Sequence, residues 1–331
     1  MPRSLLDSPD ARFQFAGHET FPLRYGWLKK AYDGVLADEK KGLPGGSIFN
    51  DEAAIADFGV GKNMVLSLRH WAIATDILCA QESKGERAAR ITTGRLGQFL
   101  FGDRADAYLE HPASLWLLHW MLAAKPGRAT TWHWAFNEFH EPAFDRELMR
   151  RRLQRRCDEL SEAGRLGRDR KISDVTLRRD VECLVRTYYA SPMGQKRAPE
   201  DSLECPLAEL GLIQKAGVGD LYRFRRGPKS SLPDEVFLFA LIDFWRTYFP
   251  GRRSFSVDFL TFERGSPGQV FLLDEETVAE RLVRMDALTE GALRWDESTG
   301  MRQLYAHHLE VLDPWAFLKR LYERDLGAMA A

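Results

Sequence analysis

Residues 47–97 read SIFNDEAAIADFGVGKNMVLSLRHWAIATDILCAQESKGERAARITTGRLG. Asn50 suits a helix N-cap, with Asp51 and Glu52 in the first turn, where the helix dipole favours negative charge. Ala53 to Phe58 carries a short helix, and Gly59 ends it. After Val60 and Gly61 a second helix runs to about Asp76, with Met64, Val65, Leu68, Trp71 and Ala72 on one apolar stripe. Asn63, Ser67 and His70 fall on the opposite face, flanked by Lys62 and Arg69. Ile77 to Ala80 and Ala88 to Thr92 read as two strands around a charged turn at 81–87. Helix, tight turn, helix and charged hairpin is the layout of a winged helix-turn-helix. The polar N-terminal half of such a helix can enter a major groove and reach base edges. Its amides can meet a phosphate, with Gly61 leaving room. Lys84, Arg87 and Arg90 would then flank the phosphate backbone. A winged helix used only for packing or protein contact fits the same pattern.

Working outward, residues 1–12 read as a loose arm, followed by FQFAGHETFPLRYGWLKKAYDGVL. Here Phe13, Phe15, Phe21, Tyr25 and Trp27 crowd around His18 and Glu19. A helix from Arg24 to Ala37 is expected next. HPASLWLLHWMLAA reads as a buried helix and TTWHWAFNEF as another. His119, His133 and His140 match no metal-ligand spacing and are better read as core or rim histidines. RELMRRRLQRRCDEL places Arg150, Arg151, Arg152, Arg155 and Arg156 in a band suited to tracking phosphates. The acidic residues from Asp158 to Glu162 lie beyond the band, so its charge is expected to stay largely uncompensated. A solvated face with intrahelical ion pairs such as Glu147 with Arg151 is the plainer reading. SDVTLRRDVECLVRTYY is a helix that Ser173 can cap. In the last third, PDEVFLFALIDFWRTYF and TVAERLVRMDAL read as helices, FSVDFLTFE alternates like a strand, and ALRWDESTGMRQLYAHHL reads as a hairpin. The expected fold is mainly α with small β hairpins (α+β). It divides into a winged helix-turn-helix with its arm (1–110), a helical arginine-rich middle (111–215) and a winged-helix-like module (216–331).

The 331 residues carry a net charge of −1, so any nucleic-acid binding must come from local patches. Cys79, Cys157, Cys183 and Cys205 stand alone, which fits a reducing compartment. No apolar run has the length of a membrane span, and the N-terminus lacks a signal-peptide core. A cytoplasmic protein without membrane contact is expected.

At GHETFPLRYGWLKK and DEAAIADFGVGKNMVLSLRHWA the chain resembles the SspB family, the nicking component of single-strand DNA phosphorothioation systems. EDSLECPLAELGLI is similar to a later stretch of that family. The resemblance implies DNA as substrate and a phage-defence setting. It implies a cysteine desulfurase, an ATPase and a reductase-like protein as partners, and a homodimer is a further candidate assembly.

Nicking is phosphodiester hydrolysis, which commonly uses Mg²⁺ or Mn²⁺ held by carboxylates. No nucleotide or organic cofactor is expected, since GVGKN lacks the spacing of a phosphate loop. No familiar nuclease motif is present. His18 as base or acid, Glu19 as ligand or orienter and Arg24 as phosphate clamp are the catalytic candidates. The same His–Glu pair could instead anchor the arm by hydrogen bonds. Glu200, Asp201 and Glu204 form a second carboxylate cluster that a solvated loop explains equally well; metal ligands stay unassigned. Two functions remain open: a DNA nickase, or a non-enzymatic DNA-binding regulator or targeting subunit.

Overall fold

The computed structural model describes residues 4–43, 46–49, 53–81, 90–167, 171–189, 205–217 and 219–330. Trp27–Lys40 forms α1, Ala53–Phe58 α2 and Lys62–Ala74 α3. Gly59 takes a left-handed φ of 63° at the end of α2, and Gly61 caps α3. Leu78–Gln81 (β1) and Arg90–Thr93 (β2) pair antiparallel, with Leu78 opposite Thr93 and Gln81 opposite Arg90. α1 packs on α3 and β2, so Leu28, Ala31 and Val35 meet the stripe of α3.

Arg95–Gly97 (α4) runs into a π-turn at Gln98–Gly102. Pro112–Ala123 (α5) is buried from Ala113 to Ala123, as a helix apolar on all sides must be. Thr130–Asn137 (α6) packs against it. The two histidines here are core residues. His119 lies 2.7 Å from the Tyr188 hydroxyl and 2.9 Å from the Val270 carbonyl, and His133 lies 2.8 Å from the Ala123 carbonyl. Arg146–Glu162 (α7) and Asp174–Tyr188 (α8) form a packed pair. Ser173 does cap α8, accepting from the Thr176 amide.

The last third contains an antiparallel pair, Ile213–Lys215 (β3) with Tyr222–Phe224 (β4). Asp234–Tyr248 (α9), Ser254–Ser256 (β5), Val257–Phe262 (α10), Pro267–Val270 (α11) and Glu275–Leu288 (α12) follow. Leu293–Asp296 (β6) and Gln303–Ala306 (β7) precede Pro314–Ala330 (α13). The expected strand FSVDFLTFE is cut short. Ser256 accepts from the Phe259 amide at 3.3 Å and so starts α10, leaving three residues of strand. Those three pair with β7, giving a sheet in the order β5-β7-β6. The fold is thus mixed α+β, mostly helical, with small antiparallel sheets. One connected core reaches from Leu6 to Tyr322. Among the described residues no helix is long and apolar enough to cross a membrane.

Candidate functional site

The chain around His18 is bent hard. Ala16, Glu19 and Thr20 have φ of 57°, 45° and 69°, and Gly17 has 90°. Non-glycine residues held there cost about 1–3 kcal/mol each, so surrounding contacts must over-determine the loop. Asp180 of α8 supplies most of them. Its Oδ1 accepts from the Ala16 amide at 3.0 Å and lies 2.9 Å from His18 Nε2, and its Oδ2 accepts from the Thr131 hydroxyl at 2.7 Å. The Thr20 amide donates to His18 Nδ1 at 3.0 Å. Downstream, the Phe21 carbonyl accepts from Trp71 Nε1 at 2.9 Å and from the Ser67 hydroxyl at 3.3 Å. Gly17 cannot be replaced freely, because an added Cβ would sit 2.6 Å from His70 Nδ1.

Burial disfavours charge on His18, while Cys183 and Asp180 favour it. The Thr20 amide, aimed at Nδ1, needs a bare lone pair there. The ring in this geometry is therefore the Nε2–H tautomer donating to Asp180, and a second proton has to break the Thr20 bond. The pKa of His70 is driven down to about 3 by burial, by His18 and by Arg69.

These contacts enclose His18 and are the ones the anchoring alternative calls for. The ring is 2% exposed, lies edge-on to Trp132 and His70, and gives both nitrogens to protein partners. None is left for Glu19 or for a substrate. Glu19 is half-buried in the bend, and Arg24 is buried with its guanidinium over the rings of Phe21 and Trp27 at 5.7 and 5.5 Å. The signal for Asp180 was an acidic residue on the apolar side of α8, between Leu177 and Leu184.

The helix α3 presents a narrower face than its periodicity implied. Lys62 and Asn63 are exposed, Arg69 is half-exposed, and the space beyond Gly61 is open. Ser67 is fully buried and His70 leans over Gly17, so neither belongs to the outward surface. Arg90 is exposed at the start of β2. Lys84 and Arg87 lie outside the described residues, as do Asn50, Asp51, Glu52, Glu200, Asp201 and Glu204.

The arginine band of α7 is compensated, contrary to expectation. Arg150 pairs with Glu147 and Asp174, Arg151 with Glu147 at 3.9 Å, Arg152 with Glu141 at 2.6 Å and Arg155 with Glu159 at 3.3 Å. Arg156 is mostly buried between Asp7 and Glu138, at 2.7 and 2.8 Å. Four of these six partners, Asp7, Glu138, Glu141 and Asp174, lie outside α7, which intrahelical spacing does not reveal. Arg151 and Arg155 remain open to solvent, at 61% and 73% exposure.

Over residues 15–322 the chain matches a family described as protein of unknown function, DUF4007. It belongs to the DUF4007 family. Two crystal structures share the fold of this DUF4007 protein: a magnesium ion-bound SspB with a TM-score of 0.80, and an SspB structure with 0.79. Each is 29% identical, covering 96% of this chain and 90% of that chain. No curated protein matches. The DUF4007 chain is therefore SspB-like over nearly all of its length. The neighbour's magnesium is compatible with the expected Mg²⁺. That ion takes oxygen ligands in near-octahedral geometry. Among the described residues no three His, Cys, Asp or Glu side chains are grouped to hold a metal. Glu138, Glu141 and Glu159 face arginines and Asp180 faces His18. Mg²⁺ commonly keeps several waters and takes only one or two carboxylates, so its ligands stay unassigned among the described residues.

Proposed function

We propose that this protein binds DNA and opens one strand as part of a DNA phosphorothioation and phage-defence system in the cytoplasm. The observation that carries the reading is the SspB-like fold across 96% of the chain. The α2–turn–α3–hairpin order supports use as a winged helix-turn-helix, with Lys62 and Asn63 projecting at the free N-terminus of α3. A cysteine desulfurase, an ATPase and a reductase-like protein would be its partners.

The test is incubation of the purified chain with supercoiled plasmid, with and without Mg²⁺ or Mn²⁺. Open-circular product that depends on the metal is the expected result. Duplex binding without any open-circular product would replace the nickase with the second reading, a non-enzymatic regulator or targeting subunit. The enclosed His18 is the observation that favours that second reading.

A further inference from the structure

Phe262, the last residue of α10, is 55% exposed. A lone exposed phenylalanine is ordinary, but the surroundings of this one are built. The Arg226 guanidinium stands 5.9 Å from its ring centroid. That guanidinium is fixed by donating to the Leu273 carbonyl at 2.6 Å and to Gln269 Oε1 at 2.8 Å. On the other side Phe262 shares a shallow pocket with His140, Glu263 and Arg264. His140 and Arg264 also line the adjoining cleft of about 860 Å³, whose far wall is α7 with Arg152, Arg155 and Arg156. One groove thus leads from an open aromatic face, past Arg264, to a wall where the α7 arginines stand paired with carboxylates.

The carboxylates in this groove are engaged. Glu138, Glu141, Glu159 and Asp7 each face an α7 arginine, and Glu263 accepts from the Arg264 amide. Burial, then Arg264 and Arg226, lower the pKa of His140 against the opposing pull of Glu138. The segment is also pinned, because the Gly265 amide donates to Asn137 Oδ1 of α6 at 2.6 Å. A preformed platform needs little ordering on binding.

Grooves that hold single strands combine positive charge along the backbone with aromatic faces on which bases stack. A duplex hides its base faces, so an open ring beside cations suits an unpaired strand. We infer that the groove from Phe262 past His140 to α7 binds single-stranded DNA, with a base stacked on Phe262 and the adjacent phosphates met by Arg226 and Arg264. This rests on the DNA reading above and adds where the opened strand lies.

The experiment measures anisotropy of fluorescein-labelled oligo-dT and of a duplex of the same length on the full chain. Phe262→Ala should weaken oligo-dT binding roughly 5- to 100-fold and leave duplex affinity unchanged. Phe262→Trp, which keeps a stacking face, should hold oligo-dT at least as well as the natural chain. Natural-strength oligo-dT binding by Phe262→Ala, an equal loss on both DNAs, or a loss in Phe262→Trp overturns the inference. A natural chain that binds duplex but not oligo-dT overturns it alone. One that binds neither removes the DNA reading as well.

Discussion

Asp180 reaches across 162 residues of sequence to lie 2.9 Å from His18, with side-chain exposures of 1% and 2%. Removing either partner strands the other in the core. Asp180→Ala should cost about 3–5 kcal/mol, the range for breaking a buried pair, and His18→Ala about 3 kcal/mol. Chemical denaturation reads both. If His18→Ala instead melts like the natural chain while losing plasmid nicking, the catalytic role returns.

On α3 the two polar residues Asn63 and Ser67 should behave differently, because only the first is exposed. Asn63→Ala should reduce discrimination between DNA sequences by ~1–3 kcal/mol without changing the melt. Ser67→Ala should lower stability by about 1 kcal/mol through the lost bond to Phe21, with affinity unchanged in the folded fraction. Binding titrations on two DNA sequences decide the matter. Equal weakening on both would reduce Asn63 to a phosphate contact.

The α7 arginines divide in the same way. Arg151→Ala and Arg155→Ala should each lower the log–log salt slope of duplex binding by about 0.9 if they meet phosphates. Arg156→Ala should instead loosen the N-terminal arm, since it leaves Asp7 and Glu138 without their cation. Proteolysis of the arm would report this. A salt slope untouched by the first two variants would make the band a plain solvated face.

The buried histidines set an acid limit on stability. His119 donates through Nε2 to the Val270 carbonyl and accepts at Nδ1 from Tyr188, which describes a neutral ring. Burial pulls its pKa down to about 4, and that of His133 likewise to about 4. Between about 4 and 6.5 the unfolded chain binds protons that the native rings refuse. Stability contributed by their neutrality is therefore present in full above 6.5 and lost as pH falls through that window. The slope reaches about 1.4 kcal/mol per pH unit per ring. Urea midpoints across this range should fall less steeply in His119→Gln, and parallel curves would contradict the assignment.

Much of the local structure could be read directly. Gly59 and Gly61 bracket the turn before α3, Ser173 begins α8, and the Trp-rich run is a helix buried on all sides, because caps and periodicity act over a few residues. What stayed hidden depends on distant partners. Nothing near Asp180 tells that its carboxylate closes the bend at His18, although its place between Leu177 and Leu184 is odd for a charge. Ser67 reads as outward until Phe21 offers it a carbonyl. The arginines of α7 look unpaired until Glu138, Glu141 and Asp7 arrive from elsewhere in the chain. Alternation in FSVDFLTFE imitated a strand because Ser256 caps a helix after only three extended residues.

The bend at residues 16–20 also has a consequence for how the protein is made. Its strained backbone is held mainly by a carboxylate encoded far downstream, so these residues cannot settle when they leave the ribosome. They must wait, aromatic side chains exposed, until α8 has been synthesised and docked. The bend thus closes only once α8 is in place, and a chain that stops before residue 180 would present it open.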